Sequence, residues 1–196
     1  MTFHEHLRRS AGQAIAAVPI AETREIYAVS FYIDHERDDP RRPILTIGYN
    51  TETQVEAVSN QPAGRPSDLA EARWNYAFWL QNELAVIGDS SHDPAGARAR
   101  EDWIREAGLW YAEPAVAADW TTAAERLAQQ IDARFNEACI DLAAELHATG
   151  VIQESLGRPM PILIHELEYY DDVARWTEHA NPPDLANEFT NWVRNG

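Results

Sequence analysis

The chain predicts an α+β fold: an antiparallel sheet that includes an N-terminal hairpin, packed against several helices. Three observations predict it. A two-residue period begins near Glu25 and returns in a second β-type run ending at Tyr49, whereas the sequence from Thr122 onward is dominated by helical periodicity. The regular strand–helix alternation of a doubly wound parallel sheet is missing. Finally, 196 residues with 45% apolar content supply a core for one domain spanning residues 1–196, with neither an internal repeat nor a low-complexity linker to divide it.

The elements follow in order. Thr2 and Glu5 have capping-box spacing, and Phe3, Leu7, Ala11, Ala14, Ile15 and Val18 recur at helical intervals, so the first helix runs from the start of the chain to about Val18, before Pro19. Because Gln13 and Pro19 interrupt its apolar run, Arg8-Arg9 reads as part of that amphipathic helix and not as a twin-arginine export signal. Tyr27, Val29, Phe31 and Ile33 fall on one face of a strand, with Ala28 and Ser30 opposite. After the charged connection Asp34 to Pro43, the run Ile44 to Tyr49 is expected to pair back as a hairpin. Asn50 and Thr51 offer N-caps for a short helix through about Ser59.

Beyond the Pro- and Gly-containing loop Gln61 to Ser67, a helix is expected over about 68–84, carrying Trp74, Tyr76, Phe78 and Trp79. A polar loop from Gly88 to Gly96, a helix from Ala97 to Ala107 and an irregular apolar link from Gly108 to Ala118 come next. The strongest helix has Thr122 and Glu125 at capping-box spacing and a stripe of Leu127, Ile131, Phe135, Ala138, Leu142 and Leu146 before Gly150. A late strand within Pro161 to Glu168, a helix over Asp171 to Glu178 and a terminal helix bearing Leu185, Phe189, Trp192 and Val193 complete the chain.

Charge narrows the function classes. Acidic residues outnumber basic ones 32 to 16, for a formal charge of −16, so a phosphate backbone is repelled and nucleic acid is not an expected ligand. That field favours a basic protein, a cationic small molecule or a metal ion. All sixteen basic residues are Arg, which excludes chemistry that needs a P-loop lysine, a Schiff-base lysine or a lysine general base. Cys139 is the only cysteine and permits no internal disulfide, in keeping with a reducing, cytoplasmic home; beside the apolar stripe it reads as a buried, inert thiol. No stretch approaches the length of a membrane span, so no membrane association is expected.

Candidate chemistry concentrates in two places. His165-Glu166-Leu167-Glu168-Tyr169-Tyr170-Asp171-Asp172 is the richest run of ligand types. On a strand, Glu166 and Glu168 share a face away from His165 and would grip a cation together with Asp171. The second histidine of a zinc-protease motif is absent, since Tyr169 stands at that position. Trp74, Tyr76 and Trp79 form the second concentration, with Trp103, Trp110, Tyr111 and Trp120 beyond: buried they are core, exposed beside acidic groups they would anchor a protein partner. His4 and His6, two apart on a helix, cannot chelate one ion together and are expected in solvent. His92-Asp93 precedes a proline in a loop, and Asp89, Ser90, Ser91 and His92 hold triad residue types without the spatial arrangement a triad needs. No Gly-x-Ser-x-Gly, Gly-x-Gly-x-x-Gly or Cys-x-x-Cys motif occurs, and no cofactor is expected.

The arrangement Ile26-Tyr27-Ala28-Val29-Ser30-Phe31-Tyr32, a charged turn, the strand end Gly48-Tyr49-Asn50-Thr51-Glu52, then Ala72-Arg73-Trp74-Asn75 with Trp79, resembles a bacterial family known as domain of unknown function 4303. The late strand followed by Glu168 to Asp172 resembles its C-terminal half, so the likeness extends over most of the chain. The resemblance implies a small cytoplasmic protein of unassigned activity, with immunity proteins that accompany secreted toxins among its relatives, and it transfers no catalytic residue. The leading expectation is therefore an acidic protein-binding module, such as an immunity protein that neutralises a basic toxin domain. The alternative is a metal-assisted hydrolase or other small-molecule enzyme built on Glu166, Glu168 and Asp171, with His165 as its acid–base group.

Overall fold

The computed structural model describes residues 1–112 and 122–195. Its centre is a four-stranded sheet in the order β3-β2-β1-β4, made by β1 (Ile26–His35), β2 (Pro43–Thr51), β3 (Ala85–Ile87) and β4 (Ile162–His165). β1 runs antiparallel to β2 from Ile26 opposite Thr51 to His35 opposite Pro43, and β2 runs antiparallel to β3. β4 lies parallel to β1, with Val29 opposite Ile162 and Tyr32 opposite His165. The sheet is therefore mixed, where an antiparallel one was expected: β4 returns to β1 only after a helical excursion, and such a crossover permits the parallel direction.

One face of the sheet carries Val29, Phe31, Ile33, Leu45, Ile47, Ile87, Ile162 and Ile164, packed beneath α1 (Phe3–Ala16), α5 (Thr122–Ala148) and α6 (Val151–Leu156). α5 contributes Phe135, Ala138, Cys139 and Leu142 to this layer, so the stripe read from the sequence is its buried face, and the Cys139 thiol is enclosed, its pKa pushed up by burial. The helix starts at Thr122, and the position preceding it, together with Trp120 and most of the link Gly108 to Ala118, lies outside the described residues. α1 has the expected capping box, Thr2 Oγ1 accepting from the Glu5 amide and Glu5 Oε2 accepting from the Thr2 amide at 2.8 Å.

The opposite face is covered by α2 (Glu52–Ser59), α3 (Leu69–Trp74) and α8 (Asn187–Asn195), with Val55, Val58, Trp74, Trp79 and Phe189 in contact with Ala28 and Leu163. Tyr27 belongs to this layer, against the expected alternation, because the register of β1 shifts between Ile26 and Ala28. That bulge turns the ring away from Val29 and toward Trp74 and Trp79.

The expected helix over 68–84 stops at Trp74. Asn75 adopts an extended conformation, and its side chain accepts from the Ala77 amide, starting a 3₁₀ turn over Tyr76–Phe78. Local competition of this kind is how asparagine breaks a helix. The Arg73 carbonyl, left without its helical donor, instead accepts from the Trp79 indole at 2.9 Å and from the Tyr27 hydroxyl. The chain then crosses β2 at Gly48, where Asn82 bonds the Tyr49 amide and carbonyl at 2.8 and 3.1 Å, and enters β3.

α4 (Pro94–Glu106) is held by buried polar groups. Asp93 caps it, accepting from the Gly96 amide, and its other oxygen lies 2.7 Å from His6 Nε2. His6 is therefore buried, not solvated as expected, and couples α1 to α4. Arg100 donates to the carbonyls of Pro43 and Gly88 beside a buried Glu36. α7 (Asp171–Ala180) flanks β4 and is joined by α8. Among the described residues, no helix is long and apolar enough to cross a membrane.

A Cβ at Gly48 would stand 2.6 Å from the Asn82 carbonyl oxygen, which is backbone and cannot swing aside. Gly48→Ala should destabilise the protein by about 1–3 kcal/mol, the usual cost of forcing a methyl into a packed site. Urea unfolding measures it; an unchanged midpoint would contradict the close approach of the 81–83 segment to β2.

Candidate functional site: an acidic aromatic cleft on the sheet

The helical cover of the second face is incomplete. Past Ser30, the side chains of Tyr32 and Asp34 on β1, Ile44 and Thr46 on β2, and Val86 on β3 form an open floor. They are direct cross-strand neighbours, Tyr32 opposite Thr46, Asp34 opposite Ile44, and Thr46 opposite Val86, so strand alternation brings them to one face. Tyr76, Ala77 and Gln81 wall one side, while Asp89 and His92 from the loop after β3 and Leu167 from the loop after β4 complete a cleft of about 550 Å³.

Its chemistry is one-sided. Asp34, Glu83 and Asp89 line it, and no arginine does. His92 stands against one of these carboxylates, its Nδ1 2.8 Å from Asp89 Oδ1. The Tyr32 and Tyr76 rings stack with centroids 4.9 Å apart and an interplanar angle of 22°. Burial, then the Asp34 carboxylate, push the Tyr32 hydroxyl up to about 12, and burial with Glu83 and Asp34 raises that of Tyr76. Both phenols therefore remain neutral next to carboxylates, offering π faces and hydroxyl groups but no countercharge.

Beneath these rings lies a buried histidine. His165, 1% exposed, is surrounded by Tyr32, Tyr76, Trp79 and Tyr169 at centroid distances from 4.8 to 6.3 Å. Its Nδ1 lies 3.0 Å from the Glu166 carbonyl, which only accepts, so Nδ1 carries the proton and Nε2 accepts from the Ser30 hydroxyl at 2.7 Å. The pair has the spacing of a nucleophile and its base, yet Ser30 is also 1% exposed and the aromatic rings close it off from the cleft. It joins β1 to β4 as a satisfied polar contact within the sheet.

The residues singled out in the sequence are distributed differently. Trp74 and Trp79 are buried, so neither is a surface anchor; Trp79 seals the His165 chamber, and Trp74 packs edge-on against Tyr27 and Phe189. Tyr76 alone of the three reaches the cleft. Glu166, Glu168 and Asp171 do not converge on an ion, because β4 ends at His165 and the two glutamates follow on a bend without strand alternation. Glu166 accepts from the Tyr170 hydroxyl at 2.5 Å, and Asp171 opens α7. Among the described residues, no group of three or more His, Cys, Asp or Glu side chains is placed to hold a metal ion. Asp89 accepts from the amides of Ser91 and His92, which makes that stretch a side-chain-stabilised turn and not a triad. Tyr32 and Asp34 were accessible from strand parity, being two and four residues after Ser30, but their meeting with Tyr76 and Glu83 is a tertiary event.

Burial holds the pKa of His165 down to about 4 from an ordinary 6.5. Between these values the unfolded chain takes up a proton that the folded protein refuses, so stability is complete above pH 6.5 and falls as pH drops toward 4, by about 3 kcal/mol in total. His165→Gln, which keeps an acceptor and a donor, should remove this component. Chemical denaturation of both proteins across that range checks it, and parallel stability curves would show that His165 titrates normally.

No protein-family model, no curated protein and no solved structure matches this chain.

Proposed function

We propose that the protein is an acidic binding module whose cleft receives a basic side chain of a partner protein. The observation that carries this reading is the lining itself: Asp34, Glu83 and Asp89 around the stacked Tyr32 and Tyr76, with no arginine among them. A guanidinium or ammonium group entering there meets carboxylates at the rim and an aromatic face below, the combination that favours a desolvated organic cation. The formal charge of −16 steers a basic partner toward the protein from a distance. A basic toxin domain, the partner suggested by the resemblance to immunity proteins, has this chemistry. The hydrolase alternative finds no support, since its carboxylates stand apart and the histidine it would use is enclosed.

The test separates the cleft from the overall charge. Asp34→Asn with Glu83→Gln and, as a control, Glu56→Gln with Glu154→Gln remove the same number of charges, the control pair from exposed positions outside the cleft. Binding of a fluorescein-labelled tetra-arginine peptide, followed by anisotropy, should weaken about five- to thirtyfold in the cleft variant, the combined effect of two partly shielded ion pairs at about 0.5–1 kcal/mol each. The control should change much less. Equal weakening in both would reduce the interaction to general charge attraction.

A further inference from the structure

The two edges of the sheet are treated differently. At the β4 edge, α7 takes the place of a neighbouring strand: Thr177 Oγ1 accepts from the Ile164 amide and donates to its carbonyl, at 3.0 and 3.2 Å. One turn along α7, Asn181 does the same for Ile162, accepting from its amide at 2.8 Å and donating to its carbonyl at 2.7 Å. Side chains thus satisfy the outer peptide groups of β4, and nothing can add there. The β3 edge has no counterpart. Among the described residues, no side chain bonds to the backbone of Ala85, Val86 or Ile87.

Along that open edge runs a second groove, of about 530 Å³, between β3 and Ser10, Gln13 and Ala14 of α1 with the capping Ala17. It is lined by every residue from Glu83 to Ile87. Alternate residues of a strand point to opposite faces, so a groove touched by five in succession follows the strand's edge and its peptide groups. The acidic cleft shares Glu83, Val86 and His92 with this groove. The two depressions therefore flank one free edge, the cleft on the side of Val86 and the α1 groove on the side of Ala85 and Ile87.

We infer that β3 is a strand-addition edge, and that the basic partner binds by laying an extended segment of about five residues along Glu83 to Ile87 as a fifth strand. The inference rests on the cleft reading above and specifies its mode of binding. Side chains of an added strand alternate between two faces, so its basic residues enter the Tyr32–Tyr76 cleft while small apolar ones enter the groove beside Ala14 and Ala17. Main-chain hydrogen bonds supply affinity that does not depend on sequence, and the two depressions supply selectivity. Charge decides against a second copy of this chain as the occupant: two β3 edges meeting would bring Asp34, Glu83 and Asp89 of each copy together between molecules of charge −16.

The test uses the whole protein and a labelled octapeptide of four alternating Arg-Val pairs, with two analogues N-methylated at alternate backbone amides in the two possible phases. Charge and side chains are the same in all three. The unmodified peptide should bind, one analogue should bind at least tenfold more weakly because its edge-facing donors are blocked, and the other should bind within a factor of about three. Sedimentation should show a monomer without peptide. Equal binding by both analogues overturns strand addition, and if tetra-arginine still distinguishes the Asp34→Asn/Glu83→Gln variant from its control, the cleft reading survives that failure. An unmodified peptide that does not bind, or a dimer that excludes it, also overturns the inference, and loss of the tetra-arginine difference as well removes both readings.

Discussion

The constraint on which the rest of the structure depends is the enclosure of β1. It is paired on both edges and covered on both faces along most of its length, so any polar group it carries must be satisfied inside the protein. Ser30 finds His165 on β4, and the Tyr27 hydroxyl accepts from Asn50 at 2.8 Å while donating to the Arg73 carbonyl. The second bond recruits the broken end of α3, whose Arg73 guanidinium lies 4.1 Å from the Tyr27 ring centroid and forms a two-pronged ion pair with Glu52. Cover for the second face is thereby tied to the strand it covers. The cleft begins where that cover ends, at Tyr32 and Asp34.

Acidity acquires a location in this arrangement. Several carboxylates are committed to structure: Asp93 caps α4 against His6, Asp39 grips Arg41 through two oxygens, and Glu178 pairs with Arg194. Surface pairs such as the last add little stability. Asp34 and Glu83, by contrast, stand on or beside the sheet with neutral phenols between them and no guanidinium among the cleft residues. Carboxylates held beside an aromatic face in this way are a specific product of the sheet's packing, not of the chain's overall charge.

Much of the fold was legible because its signals are local. Capping of α1, the stripe of α5, the Thr51 cap of α2 and the apolar character of β4 depend on neighbours within a few residues. The failures share one cause. Alternation could not reveal the bulge that reverses Tyr27, and helix propensity could not foresee that Asn75 would end α3 with the Arg73 carbonyl taken by two distant donors. Nor could a run of acidic residues show that β4 would stop before Glu166 and leave Glu166, Glu168 and Asp171 apart.

The sequence by itself determined a strongly acidic, lysine-free chain with an aromatic store, and with it the classes of ligand the charge repels or attracts. It also determined most of the helices and the strands β1, β2 and β4, since amphipathic period and caps are written in adjacent residues, but not β3, α6 or the end of α3 at Trp74. Tertiary structure alone decided which aromatic groups became walls. Trp74 and Trp79 turned inward, while Tyr32 and Tyr76, 44 positions apart in the chain, came to stack at 4.9 Å beside Asp34 and Glu83. The reason is that exposure belongs to the packing of the whole sheet: a side chain's fate depends on which helix reaches over it, and that is fixed by contacts far away along the chain.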